Sequence, residues 1–144
     1  MSKAPARTGS SRFAGKTILL VEDDREIRDM LTLMLKTRFA AQIVTAANGQ
    51  TALRVAQTRQ PDLILLDLML PLIDGFEVTR FLRAGQDTQH LPIIAISNHC
   101  WTFDWTQRAL AAGCNACFDK ISDLGDLIAM IENILVDLSS QAEK

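Results

Sequence analysis

"TILLVEDDREIRDMLTLML", residues 17–35, joins two patterns through a knot of acids. Thr17–Val21 is a run of strand length, apolar after its first residue. From Asp24 onward, Ile27, Met30, Leu31, Met34 and Leu35 recur at i, i+3, i+4, i+7 and i+8, the spacing of an amphipathic helix. Between them stand Glu22, Asp23 and Asp24. Clustered carboxylates repel, and removing them from water is costly. Either they are solvated, or something cationic belongs among them.

The same strand-then-helix alternation continues outward. Gln42–Ala46 reads as a second strand, and a helix follows the Asn48-Gly49 turn to about Arg59, before Pro61. Asp62–Leu66 is a third strand ending at Asp67. Pro71 and Asp74-Gly75 mark a loop, with a helix to about Ala84. Leu91–Ile96 is a fourth strand ending at Ser97, and a helix over Phe103–Ala112 stops at Gly113. Asn115–Phe118 is a fifth strand ending near Lys120, and a last helix begins at about Asp123 and runs to 138. Five βα units with solidly apolar strands predict an α/β fold, a doubly wound parallel sheet covered by helices on both faces.

The ends of the chain read differently. Residues 1–15 are expected as a disordered basic tail, 16–138 as the folded domain, and 139–144 as a C-terminal tail. Residues 1–16 hold Lys3, Arg7, Arg12 and Lys16 and no acid, so within a total of −2 the rest of the chain carries −6. An acidic body argues against nucleic-acid binding. No apolar run suits a membrane span or a secretory signal, and three cysteines is an odd count for a disulfide framework. A cytoplasmic location is expected.

In a parallel sheet of this kind, ligands sit outside the carboxyl ends of the strands. Those ends carry Glu22 and Asp23, Asp67, Ser97 and Lys120, so three carboxylates, a hydroxyl and an ammonium would share one crevice. Converging carboxylates make a hard, oxygen-rich site suited to Mg²⁺. A carboxylate beside Mg²⁺, a lysine and a hydroxyl would serve as nucleophile toward a phosphoryl group.

"ILLVEDDREI", "PDLILLDLMLPLIDGFE", "LPIIAIS" and Lys120 together resemble the receiver domain of response regulators in two-component signalling, over roughly residues 17–138. The resemblance implies a flavodoxin-like sheet of strand order 2-1-3-4-5. It implies Asp67 as phosphoacceptor from a sensor histidine kinase or histidine phosphotransfer protein, and Mg²⁺ held by Glu22, Asp23, Asp67 and the backbone carbonyl of Met69. Ser97 and Lys120 would hold the bound phosphoryl group. Asp24 would begin the first helix, where a carboxylate suits the dipole. Two positions depart from the family's pattern. Ile121 stands where a proline usually follows the lysine. Cys117 stands where an aromatic usually serves as a rotameric switch, so phosphorylation would move this surface by another route or only weakly.

Other residues are read more plainly. Cys114-x-x-Cys117, with Cys100 and His99, could suggest a zinc or redox site, but buried free thiols are the expected reading. His99 either orients a water or sits in solvent; solvent is expected. Met30 and Met34 are core by spacing. Trp105, Ala109 and Ala112 make a core-like stripe, and Trp101 is the tryptophan expected to be exposed.

The leading expectation is a stand-alone receiver, not an enzyme turning over a separate substrate. It would switch protein–protein contacts through the face of the fourth helix, fifth strand and fifth helix (Trp101, Trp105, Cys117), with homodimerisation on phosphorylation open. One rival is a constitutive binding module on the same scaffold, favoured by Cys117 and Ile121. Another is a phosphatase-like enzyme using Asp67. Against it, Leu68-Met69-Leu70-Pro71 offers no second acid two residues on.

Overall fold

The computed structural model describes residues 14–120 and 122–142. The readings for residues 1–13, Ile121, Glu143 and Lys144 lie outside the described residues. Ten elements follow in strict alternation: β1 (Thr17–Val21), α1 (Arg25–Arg38), β2 (Gln42–Ala46), α2 (Gly49–Arg59), β3 (Leu63–Asp67), α3 (Gly75–Ala84), β4 (Ile93–Ser97), α4 (Phe103–Ala112), β5 (Ala116–Asp119) and α5 (Leu124–Ala142). The strands form one parallel sheet in the order β2-β1-β3-β4-β5. The fold is the expected flavodoxin-like α/β arrangement.

Local chemistry sets the helix starts. Asp24, Asn48, Asp74 and Thr102 each sit just before a helix, and each side chain accepts a hydrogen bond from a backbone N–H three residues on. Such caps satisfy donors that the first helical turn leaves unpaired, typically for about 1 kcal/mol each.

Side-chain alternation along the strands divides the core in two. Leu19, Val21, Ile64, Leu66, Ile93 and Ala95 face α2, α3 and α4. Ile18, Leu20, Leu63, Leu65, Ile94 and Ile96 face α1 and α5. All four of Leu63–Leu66 are completely buried, as a central strand covered on both faces requires. Each such side chain contributes roughly 1.5–3 kcal/mol of burial.

Three expectations are corrected. Met30 is 49% exposed, not core. It stands at the border of the apolar stripe, where α1 buries Leu31 and Leu35 instead and leaves Met30 lining a groove beside Leu124 and Leu127. Helix α5 runs to Ala142, so 139–142 are helical rather than tail. No proline or glycine after Gly125 interrupts its backbone ladder. The third concerns the cysteines. Cys100 and Cys117 form a disulfide, with Cα atoms 5.8 Å apart, and Cys114 is the free thiol. Parallel pairing sets Cys117 beside Ala95 of β4, and the turn after Ser97 brings Cys100 back against it. Cys114 is buried elsewhere, 3.5 Å from the Thr79 hydroxyl, so the two ends of the Cys-x-x-Cys stretch do not converge.

Candidate functional site

The acids after β1 are held by the turn they begin. The Glu22 N–H donates to the Ala46 carbonyl at 3.0 Å, which ties the end of β1 to β2. The Asp24 N–H donates to Glu22 Oε2 at 3.1 Å. Arg28, one turn into α1, reaches back and donates to the carbonyl oxygens of Glu22 and Asp23, at 2.9 and 3.4 Å. Glu22 is thereby folded inward, 1% exposed, while Asp23 stays in solvent at the rim.

Asp67 ends β3, 2% exposed. Its Oδ1 accepts the Met69 N–H at 3.0 Å, and its Oδ2 accepts from Lys120 Nζ at 3.1 Å. The turn beyond it depends on Gly75. A Cβ there would lie 2.6 Å from the Asp67 carbonyl oxygen and from the Leu68 Cα. Glycine thus lets the start of α3 press against the back of the Asp67 strand end, where the Gly75 N–H donates to the Leu68 carbonyl.

Lys120 arrives from beyond β5. Its ammonium lies 2.9 Å from Glu22 Oε1 and 3.1 Å from Asp67 Oδ2. The contact with Asp67 is an aligned hydrogen bond. The contact with Glu22 Oε1 is an ion pair without that alignment, and it leaves this buried oxygen without a hydrogen-bond partner. Carboxylate oxygens of Glu22, Asp23 and Asp67 all lie within 4.8 Å of one another. Every sequence-predicted acid and the lysine therefore meet at one point. Ser97, fully buried, ends the neighbouring strand β4, where Ile96 pairs with Asp67. Its Oγ accepts the His99 N–H at 3.1 Å.

The electrostatics follow from burial. Desolvation pushes the Glu22 carboxyl up to about 7, and the nearby Asp67 charge adds to it; the Lys120 ammonium and the Asp24 N–H pull against it. Burial alone would lower the Lys120 ammonium, but Glu22 and Asp67 outweigh that and leave it above its ordinary value. One ammonium thus faces two buried carboxylates and offsets only one of their two charges. A hard divalent cation would supply what is missing. The donors are all oxygen, one of them buried without an aligned hydrogen bond, so the residues fit Mg²⁺.

Beside this pocket lies a cleft of about 530 Å³ bordered by Asp23, Met69, Pro71, Phe76, Trp105 and Arg108. His99 stacks on Trp105 with ring centroids 4.7 Å apart, and Trp105 leans on Phe76 at 5.3 Å. Arg108 lies over both rings, 4.4 Å from Phe76 and 5.1 Å from Trp105. His99 is exposed, as expected, but rests on an aromatic face. Trp105 is partly buried, and Trp101 is 69% exposed. The two do not share a helix face, because Thr102 caps α4 after Trp101.

Three features escaped the sequence reading. Arg28 had a signal, since a basic residue one turn inside a helix can reach the loop before it. Gly75 was seen only as a loop marker. The cystine had none, because it depends on how the turn after Ser97 folds back against β5.

Comparison with known proteins agrees with this architecture. Residues 18–132 match the family described as the response regulator receiver domain. The polar-differentiation response regulator DivK of Brucella anthropi is 32% identical over 85% of this chain and 98% of its own length. The transcriptional regulatory protein AfsQ1 of Streptomyces coelicolor is 48% identical over 81 residues, which cover 56% of this chain but only 34% of AfsQ1. Among solved structures, the receiver domain of the sensor histidine kinase PA1611 from Pseudomonas aeruginosa superposes with a TM-score of 0.77. It has 31% identity over 85% of this chain and 98% of that one, and carries a magnesium ion in its active-site cleft. The chain belongs to the response regulator receiver domain family.

Proposed function

We propose that the protein is a Mg²⁺-dependent phosphoacceptor. Asp67 takes a phosphoryl group from a phosphohistidine on a sensor histidine kinase or a histidine phosphotransfer protein in the cytoplasm. A carboxylate oxygen of Asp67 forms the new O–P bond as the N–P bond breaks, and the ring, carrying a proton from solvent on its other nitrogen, leaves as neutral imidazole. Such a transfer needs little beyond positioning and charge neutralisation.

The observation that carries this reading is the Lys120 ammonium, 2.9 Å from Glu22 and 3.1 Å from Asp67 inside a triad of carboxylates. Glu22, Asp23, Asp67 and the Met69 carbonyl would hold Mg²⁺. When bound, the ion neutralises the incoming phosphoryl oxygens and lets an anion approach an anionic site. Lys120 then shifts its hydrogen bond from Asp67 to the phosphoryl oxygens. The Ser97 hydroxyl, whose oxygen already accepts from His99, keeps its own proton free to donate to them. The magnesium in the cleft of the PA1611 receiver domain supports the metal.

The phosphoryl group carries about −1.5 to −2 charges and replaces the carboxylate's single one, so this corner gains roughly one negative charge. Its output would be a change in protein–protein contacts on the α4–β5–α5 face, where Trp101 and Phe103 are 69% and 81% exposed. The test is incubation with a small phosphodonor such as acetyl phosphate, with and without Mg²⁺, read by intact mass. One added phosphoryl group that requires Mg²⁺ and disappears in Asp67→Asn supports the proposal. Labelling that survives that substitution overturns it. Labelling that leaves partner binding unchanged favours the constitutive binding module instead.

A further inference from the structure

The Cys100–Cys117 disulfide occupies the route by which this pocket would reach α4. Cys117 lies on β5 opposite Ala95, three residues before Lys120. Cys100 lies in the turn between Ser97 and α4. That turn is otherwise held by hydrogen bonds alone. The Cys100 N–H reaches the Ser97 carbonyl at a long 3.5 Å, Thr102 closes on the His99 carbonyl, and Thr106 Oγ1 donates to the Cys100 carbonyl. The covalent bond is the one tie that no small movement of the turn can break.

For a phosphoryl group held by Asp67 and Ser97 to be felt at α4, the turn whose His99 N–H bonds the Ser97 hydroxyl oxygen must be free to follow. His99 is bonded in sequence to Cys100, and Cys100 is stapled to β5. The aromatic of β5, Phe118, points to the opposite face of the sheet, with Leu127 and Ile131, and cannot relay on this side. Trp101 follows Cys100 directly, and Trp105 stacks on His99, which precedes Cys100.

We propose that Cys100 and Cys117 are a redox-controlled latch. With the disulfide closed, phosphorylation of Asp67 is not passed to the α4 surface; with it open, it is. This rests on the phosphoacceptor reading above. In a cytoplasmic protein a disulfide is more often transient and regulatory than structural, which suits a latch.

The chemistry balances by thiol–disulfide exchange with a low-molecular-weight disulfide, RS–SR. The Cys117 thiolate, the less buried of the two, attacks one sulfur of RS–SR and expels RS⁻. The Cys100 thiolate then attacks Sγ of Cys117 in the mixed disulfide and expels a second RS⁻. Two cysteine thiols are oxidised to cystine, one RS–SR is reduced to two thiols, and the two protons pass to solvent and the leaving thiolates. Excess thiol runs the sequence backward. Cys114, buried against Thr79, takes no part.

The experiment compares the full chain in three forms: oxidised with RS–SR, reduced with dithiothreitol, and Cys100→Ser. Alkylation under denaturing conditions should modify one cysteine in the oxidised form and three in the reduced. Each form is then given acetyl phosphate and Mg²⁺ and checked for label at Asp67 by mass. Hydrogen exchange over 98–112 is followed with beryllium fluoride and Mg²⁺. The latch predicts similar labelling in all three forms, with an exchange response about fivefold larger in the reduced and Cys100→Ser proteins. Equal responses in oxidised and reduced protein overturn it, as do three alkylated cysteines after oxidation. Absence of label in every form overturns the phosphoacceptor reading and the latch with it. The reduced wild type and Cys117→Ser stand in if Cys100→Ser does not fold.

Discussion

At the mouths of β1, β3 and β5, side chains from three separated segments meet at 2.9 and 3.1 Å, through one ammonium shared between two buried acids. Next to them, where β4 passes into α4, the turn is fastened to β5 by a covalent bond and two exposed aromatics face outward. The first corner is an electrostatic device held together by charges that would repel without a cation. The second is a mechanical one, in which position is set by a bond and by stacking. The contrast teaches that a phosphoryl-binding pocket and the surface that reports on it are built from separable interactions. One can follow the family's pattern while its neighbour departs from it.

The largest effect expected on the electrostatic corner comes from removing its nucleophile. Asp67→Asn should cut Mg²⁺-dependent labelling by about 100-fold or more, read by intact mass over time. Lys120→Ala comes next. It leaves Glu22 and Asp67 facing each other, and a buried charge stripped of its partner costs about 3 kcal/mol. The melting temperature at pH 8 should fall accordingly, and Mg²⁺ should restore part of it. An unchanged melting temperature would mean that the lysine is not what holds the two acids together.

Gly75→Ala probes the backbone under the same corner. With 2.6 Å to both the Asp67 oxygen and the Leu68 Cα, two backbone atoms must give way, at about 2 kcal/mol by urea denaturation. A neutral result would break the claim that α3 positions the end of β3.

Glu22 supplies the pH dependence. Its carboxyl stands raised, at about 7 against an ordinary 4.5, so the folded protein holds a proton that the unfolded chain has lost. The stability from that proton is present at low pH and disappears as pH rises from 4.5 through 7. Mg²⁺ competes for the same oxygens. Its affinity should weaken as pH falls below about 7, by at most about tenfold per pH unit for one displaced proton, measured by calorimetry. Glu22→Gln should flatten that dependence and stabilise the metal-free protein at pH 8 by about 1 kcal/mol. A pH-independent affinity in the wild type would place the binding elsewhere.

The smallest effect is expected at the mechanical corner's outer edge. Trp101→Ala should change stability by less than about 0.5 kcal/mol while weakening contacts made by the phosphorylated form. A larger loss of stability would show that Trp101 packs more firmly than its exposure suggests.

Much of this molecule was legible in one dimension. Strand and helix alternation, the apolar stripe of α1 and the polar residue closing every strand but β2 are local patterns. In a parallel sheet every strand end points the same way, so Glu22, Asp23, Asp67, Ser97 and Lys120 were bound to gather once the sheet was parallel. Tertiary structure alone decided the rest. Met30 fell to solvent because one apolar stripe must meet a partner of finite width. Which tryptophan packs depended on where Thr102 capped α4. The pairing of Cys100 with Cys117 rather than with Cys114 required β5 to lie against β4 and the turn after Ser97 to bring Cys100 against it. Periodicity belongs to a single segment and can be read along the chain, whereas a contact between two segments exists only after both have been placed.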